Sequence, residues 1–220
     1  MTNLNVLSRK SERFTDRVEA GKLLGQALKR LKGRKAVVLG IPRGGIIIAR
    51  EIAKMLDASL DIVLSRKLGA PGNPELAIGA ISEDGNLFLD SSSIKYLQIS
   101  DSYIQNEKKH QMAEIVHRIS LYRKFRPRIS LEGRTVIVTD DGLATGATMK
   151  AALWMARQEK PSRLIAAIPV APEKSLLKLT ETADEILCLS TPEYFMAVGQ
   201  FYGSFYQISD DEVMKILAEG

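Results

Sequence analysis

The chain has 220 residues, 45% of them hydrophobic and 26% charged, with a formal net charge of +5. That length and balance fit one folded unit with a real core and exclude a disordered or fibrous chain. A positive surplus suits either nucleic acid or a polyphosphate ligand. Basic residues such as Lys29, Arg30, Lys32, Arg34 and Lys35 form no long uninterrupted tract, which favours a solvated face over a nucleic-acid patch.

The one cysteine, Cys188, excludes an internal disulfide and a thiolate zinc site. Lying in the apolar run EILCL, it reads as a small buried hydrophobe. The segment MTNLNVLSRKSERF has no apolar signal core, and no run reaches the ~18 apolar residues of a membrane helix, so a cytoplasmic location is expected.

In chain order, residues 1–14 are polar and irregular. Asp16 and Glu19 then bracket a first turn, followed by Val18, Leu23, Leu24, Ala27, Leu28 and Leu31 at helical spacing, so a helix is expected to end near Gly33. Residues 35–41 (KAVVLGI) form a β-rich run that stops at Pro42-Arg43-Gly44-Gly45, after which residues 46–56 read as helix. A second strand is expected over residues 60–65, and the tract holding Gly69, Pro71, Gly72 and Pro74 reads as an irregular mobile loop. Residues 76–82 and 86–89 flank Glu83-Asp84-Gly85, a hairpin signal.

Residues 102–125 are highly charged, with Met112, Ile115, Ile119 and Tyr122 spaced three, four and three apart. That spacing predicts one long helix packed on a single face. Beyond Pro127, strands are expected at 135–139, 163–170 and 185–189, and helices at 146–159 and 173–180. An aromatic segment, TPEYFMAVGQFYGSFY, leads to a last helix capped by Ser209 or Asp210. Strands alternating with helices predict an α/β fold with a mainly parallel sheet covered on both faces.

In such a sheet ligands sit at the carboxyl ends of the strands. Three loops fall there, beginning at Pro42, Arg66 and Asp140. In the third, Gly142, Ala144, Gly146 and Ala147 leave backbone amides open to an anion, Thr145 and Thr148 add hydroxyls, and a helix beginning near Gly146 aims its positive end at the same point. Asp140 and Asp141 would repel a phosphate, so they must serve another part of the ligand, hydroxyl groups or a metal. A phosphorylated sugar has both ends. The loop has no Gly-Lys-Ser or Gly-Lys-Thr, and GxGxxG is missing, which excludes the common nucleoside triphosphate and dinucleotide fingerprints. The two histidines, His110 and His117, lie on the charged helix with no obvious partner and read as surface residues.

The tract Val136-Ile-Val-Thr-Asp140-Asp141-Gly-Leu-Ala144-Thr-Gly-Ala-Thr148 resembles the phosphoribosyl pyrophosphate (PRPP) signature of type I phosphoribosyltransferases. RKLGAPGNPELAIGAI, PVAPE and TPEYFMAVGQFY also resemble uncharacterised bacterial and archaeal members of that family. The resemblance implies a single domain over residues 1–220, with a hood or insertion at about 68–127 and a C-terminal aromatic segment and helix at 191–220. It implies that Asp140 and Asp141 hold the ribose hydroxyls, directly or through Mg2+, and that Gly142, Leu143, Ala144, Thr145, Gly146, Ala147 and Thr148 enclose the 5-phosphate. Pro42, Arg43, Gly44 and Gly45, often with a non-proline cis peptide, would bind pyrophosphate, joined by Arg66 and Lys67.

Asp140, Asp141 and Arg43 would then be the catalytic residues, and Phe195, Val198, Phe201 and Tyr202 would face the base. Leu68 to Glu75 contains no Lys or Arg, a departure from the members that carry a basic residue in this loop. The implied reaction moves the 5-phosphoribosyl group from PRPP to a nitrogenous base in a homodimer. The competing class is a PRPP-sensing regulator of the same fold that binds nucleic acid. With no winged-helix-like segment ahead of the first helix, the enzyme is the expectation.

Overall fold

The computed structural model describes residues 2–219, with the side chain of Glu75 outside that description. Six strands form one parallel sheet in the order β1-β9-β8-β7-β2-β3. They are β1 (Asn3–Ser8), β2 (Val37–Gly40), β3 (Ser59–Ile62), β7 (Thr135–Thr139), β8 (Arg163–Val170) and β9 (Glu185–Ser190). Alternate residues feed two separate cores, as a parallel sheet covered on both faces requires. Val38, Ile137, Ile165 and Leu187 pack against helices α1 (Arg17–Ala27), α2 (Gly45–Leu56) and α7 (Asp210–Glu219). Their neighbours Val37, Val136, Val138, Ala166 and Cys188 pack under α5 (Ala147–Gln158) and α6 (Glu173–Leu177). Cys188 is a buried core residue, and burial pushes its thiol up to about 12.

Helices α1 and α7 start where a side chain can satisfy their open amides. Asp16 accepts from the Glu19 N–H at 2.9 Å to start α1. At α7 the cap is Ser209 rather than Asp210: its hydroxyl accepts from the Glu212 N–H at 3.2 Å, and the Glu212 carboxylate accepts from the Ser209 N–H at 2.9 Å. That reciprocal pair satisfies two of the helix's orphan donors.

Two expectations need correction. Residues 3–8 are not irregular but an edge strand, paired with β9 through Leu4↔Ile186 and Val6↔Cys188. Only Leu4 and Val6 alternate inward there, a weak local signal completed by a partner far along the chain. The tract after Arg66 is likewise not a loop. β4 (Ser65–Ala70), β5 (Asn73–Ser82) and β6 (Leu87–Leu89) form a three-stranded antiparallel sheet, the hood. Pro71-Gly72 is the whole turn between β4 and β5, with Gly72 at φ 72° and Ala70 paired to Asn73. Pro74 fits inside β5 because the register shifts on either side of Gly69, where a Cβ would lie 2.8 Å from the Pro74 Cα. Arg66 and Lys67 therefore sit on a strand, opposite Ile81 and Ala80.

The Asp84-Gly85 turn between β5 and β6 holds as expected, with Gly85 at φ 76°. After β6 a short helix α3 (Ser91–Tyr96), capped by Asp90, precedes α4 (Asp101–Tyr122). The long helix packs on one face through Ile104, Ile115 and Tyr122. The hood lies between α3 and α4, which meet Leu68, Ala70 and Ile78, and α5, whose Trp154 packs at a tilt on Phe88 with ring centroids 4.6 Å apart. Among the described residues no helix is long and apolar enough to cross a membrane.

Candidate active site

β2 and β7 are neighbours, with Gly40 level with Thr139, so the loops that leave them emerge side by side. Their contact is closer than any side chain would permit. A Cβ on Gly44 would fall 2.0 Å from Asp141 Oδ2, and one on Gly45 would fall 2.7 Å from the Thr139 carbonyl oxygen. The two glycines are thus required where the backbone entering α2 passes over the acidic pair. The Pro42–Arg43 peptide bond is cis, as the resemblance implies.

Asp141 has a partner that the sequence did not reveal. Arg17 Nε donates to Asp141 Oδ2 at 2.9 Å, and its Nη2 lies 2.9 Å from the same oxygen. The guanidinium also donates through Nη1 to the Tyr206 carbonyl at 3.0 Å and lies 4.0 Å from the centre of the Phe205 ring. Arg17, buried at the start of α1, therefore ties Asp141 to the C-terminal segment. Burial pushes the Asp141 carboxyl up, and the Arg17 charge opposes that. For Asp140 burial acts first and the neighbouring Asp141 charge adds to it, so its carboxyl is held well above the ordinary range.

The small-residue loop is held from one side. Ser175 Oγ donates to the Ala144 carbonyl at 2.7 Å, and Lys178 Nζ donates to the Thr145 carbonyl at 3.3 Å. A trans peptide sets its N–H opposite its C=O, so the N–H groups of Thr145 and Gly146 point away from α6. Gly146, at φ 80°, supplies the left-handed residue from which α5 starts. The Leu143 amide is already used, donating to the Val170 carbonyl at 3.0 Å, and its side chain is in the core. Leu143 anchors the loop rather than offering its amide.

A cavity of about 230 Å³ opens beside these loops. Its lining joins Pro42, Arg66, Lys67 and Thr148 with Glu107, Gln111, Ile115 and Arg118 of α4. Arg66 Nε donates to Gln111 Oε1 at 2.8 Å, and Gln111 Nε2 donates to Glu107 Oε1 at 2.8 Å.

The model of the phosphoribosyl transferase domain matches residues 16–202. The chain belongs to the phosphoribosyl transferase family. Rv0571c of Mycobacterium tuberculosis strain H37Rv, provisionally named a phosphoribosyl transferase, is 44% identical over 204 residues, covering 93% of this chain and 46% of that protein. The chain thus spans about half the length of the curated relatives it matches. The crystal structure of TT1426 from Thermus thermophilus superposes with a TM-score of 0.88 at 45% identity, covering 94% of this chain and 98% of that one. A Neisseria gonorrhoeae protein crystallised with ppGpp shares the fold alone, with a TM-score of 0.50 at 15% identity over 100% of this chain and 97% of that one.

In this phosphoribosyl transferase fold the residues expected at the site divide into those brought together and those that are not. Gly44, Gly45, Asp140 and Asp141 meet directly, and Arg66, Lys67 and Thr148 share one cavity with Pro42. Val198 reaches the acidic loop, its Cγ1 2.6 Å from where a Gly142 Cβ would lie. Phe201 and Tyr202 do not face a ligand space. Phe201 is core, packed at 5.2 Å from Phe195, and Tyr202 lies between Phe14 and Phe205. The Tyr202 hydroxyl donates to the Asp141 carbonyl at 2.6 Å, so it supports the loop from behind. Both rings turn inward at the end of the short 3-10 turn Val198–Phe201, while Tyr194 and Met196 earlier in the segment stay exposed.

Proposed function

We propose that the chain catalyses transfer of the 5-phosphoribosyl group from PRPP to a nitrogenous base with release of pyrophosphate. The observation that carries this reading is the seating of Gly44 and Gly45 directly on Asp140 and Asp141. On this reading the turn that would bind diphosphate and the acids that would bind ribose lie within one small ligand's length, with the small-residue loop beginning immediately after the acids. In the reaction a base nitrogen forms a bond to the anomeric carbon while the bond from that carbon to the diphosphate oxygen breaks, the electron pair leaving with pyrophosphate. The residues act by position and charge. Asp140 and Asp141 hold the ribose hydroxyls and face the positive charge that grows on the ring, while Arg43 and the Gly44 and Gly45 amides receive the negative charge of the leaving group.

Asp140 and Asp141 also fit Mg2+. They are adjacent oxygen donors whose carboxyls burial pushes up, a state that a hard cation relieves. No larger cluster of His, Cys, Asp or Glu that could hold a metal occurs among the described residues, so PRPP and water would complete the shell. When bound, the cation would offset the diphosphate charge. The acceptor space would include Phe195 and Val198, and the working form is proposed as a cytoplasmic homodimer.

The test is a panel of nucleobases with PRPP and Mg2+, read by pyrophosphate release, together with PRPP calorimetry. Turnover with one base is expected, with Asp141→Asn and Arg43→Ala each lowering it by about 100-fold or more. No PRPP affinity in the parent chain would sink the proposal. PRPP binding without pyrophosphate release for any base would instead favour a sensor of the same fold.

A further inference from the structure

Three observations point to a role for α4 that rests on the phosphoribosyl reading. First, the hood tip, residues 68–75 (LGAPGNPE), has no Lys or Arg. Second, Glu107, Gln111, Ile115 and Arg118, spaced four, four and three, line the cavity beside Pro42, so one face of α4 forms a wall of the site. Third, Arg118 is half-buried yet makes no ion pair among the described residues, whereas Arg17, Arg123 and Arg128 each hold a carboxylate. A half-buried guanidinium without a counter-ion is costly unless an anion joins it.

Arg43 is near. Burial and the hydrogen bond to Asp210 push the Tyr122 hydroxyl above the ordinary phenol range, and the charges of Arg118 and Arg43 both act in the opposite sense. The two cations come from different elements, α4 and the turn after β2, and Arg118 and Pro42 line one cavity. Neither forms an ion pair among the described residues. Asp210 accepts from Tyr122, and Glu107 accepts from Gln111 and lies about 16 Å from Arg118 along the helix axis.

We infer that Arg118 of α4 binds the diphosphate end of PRPP together with Arg43, supplying from the helix the cation that the hood tip lacks. Glu107 and Gln111 hold Arg66 in the same wall. The long helix is then part of the substrate site rather than a surface strut.

The experiment is calorimetry of the full chain in Mg2+ buffer at fixed ionic strength, with inorganic pyrophosphate and ribose 5-phosphate as separate probes. Arg118→Ala is expected to weaken pyrophosphate about 10- to 100-fold while leaving ribose 5-phosphate unchanged. Arg118→Lys is expected to restore part of the loss, and His117→Ala, on the exposed face of the same helix, to change neither. Unchanged pyrophosphate affinity in Arg118→Ala overturns the inference, as does equal weakening of both probes, which would mark a structural role. If Arg118→Ala does not fold, Arg118→Lys decides by the same comparison. Should the parent bind neither probe nor PRPP, the phosphoribosyl reading itself fails; normal PRPP binding with an indifferent Arg118 rejects only the role of α4.

Discussion

Asp140 is the residue at which the proposed function and stability conflict. Burial and the adjacent Asp141 charge hold its carboxyl well above the usual range, and Arg17 is bonded to Asp141 rather than to Asp140. A carboxyl raised on folding binds its proton more tightly in the folded chain. Its contribution to stability is therefore full below the ordinary carboxylate range, about pH 4, and is lost as pH rises through the raised value. Asp140→Asn is accordingly expected to raise the ligand-free melting temperature at neutral pH while abolishing PRPP binding, by about 2–4 °C for each ~1 kcal/mol relieved. Scanning calorimetry between pH 4 and 8 checks this: the parent should lose stability relative to the variant as pH rises. A variant that melts lower at pH 7 would show that the charge is needed by the fold. The acidic pair was legible in the sequence because strand, acids and small residues are contiguous. Arg17 was not, because its partner lies 124 positions away and an arginine in a first helical turn looks like surface.

At the scale of elements, the hood stays in register with the main sheet through one charged junction. Arg123, just past α4, donates to Asp61 of β3 at 2.6 Å, to Glu83 in the β5–β6 turn at 2.8 and 3.0 Å, and to the Ile62 carbonyl at 3.2 Å. Asp61 also accepts from the Ile129 N–H at 3.0 Å, and Arg128 joins Glu83 to Glu159 at the end of α5. Arg123→Met would leave two buried carboxylates without this partner, and a loss of about 3–5 kcal/mol is expected in urea unfolding. Arg9→Ala, which breaks the exposed pair with Glu173 at 2.8 Å, should cost no more than about 1 kcal/mol. Equal losses would show that the junction is as dispensable as a surface pair. The hood also shows how turn chemistry limits sequence reading. Asp84-Gly85 between two apolar runs was legible as a hairpin, whereas Gly69, Pro71, Gly72 and Pro74 together looked like breakers. Two of them form the turn, and the other two fit each other across a bulge.

At the scale of the whole molecule, the site lies where the sheet reverses its direction of growth. From β2 the chain adds β3 on one side, and later adds β7, β8 and β9 in sequence on the other, so α2 and α5 follow β2 and β7 on opposite faces of the sheet and the crevice between these strands is where their two loops meet. The alternation of strands and helices was readable from 3.6- and 2-residue periodicity, but strand order was not, since it depends on which nonlocal pairings bury both faces. β1 is the clearest instance, being drawn against β9 by hydrogen bonds and by half-buried Leu4 and Val6. It lies three strands away from β7 in the sheet, so its contribution should be to stability alone. A chain lacking residues 1–8 is expected to lose roughly 2–3 kcal/mol, a fall of about 5–10 °C in melting temperature. It should also scatter more light on heating, because the bare β9 edge can pair with other chains. PRPP affinity, measured below the lowered midpoint, should stay within about twofold of the parent. A parallel loss of affinity would mean that the crevice between β2 and β7 depends on the far edge of the sheet, and the site would then be a property of the whole sheet rather than of its switch point.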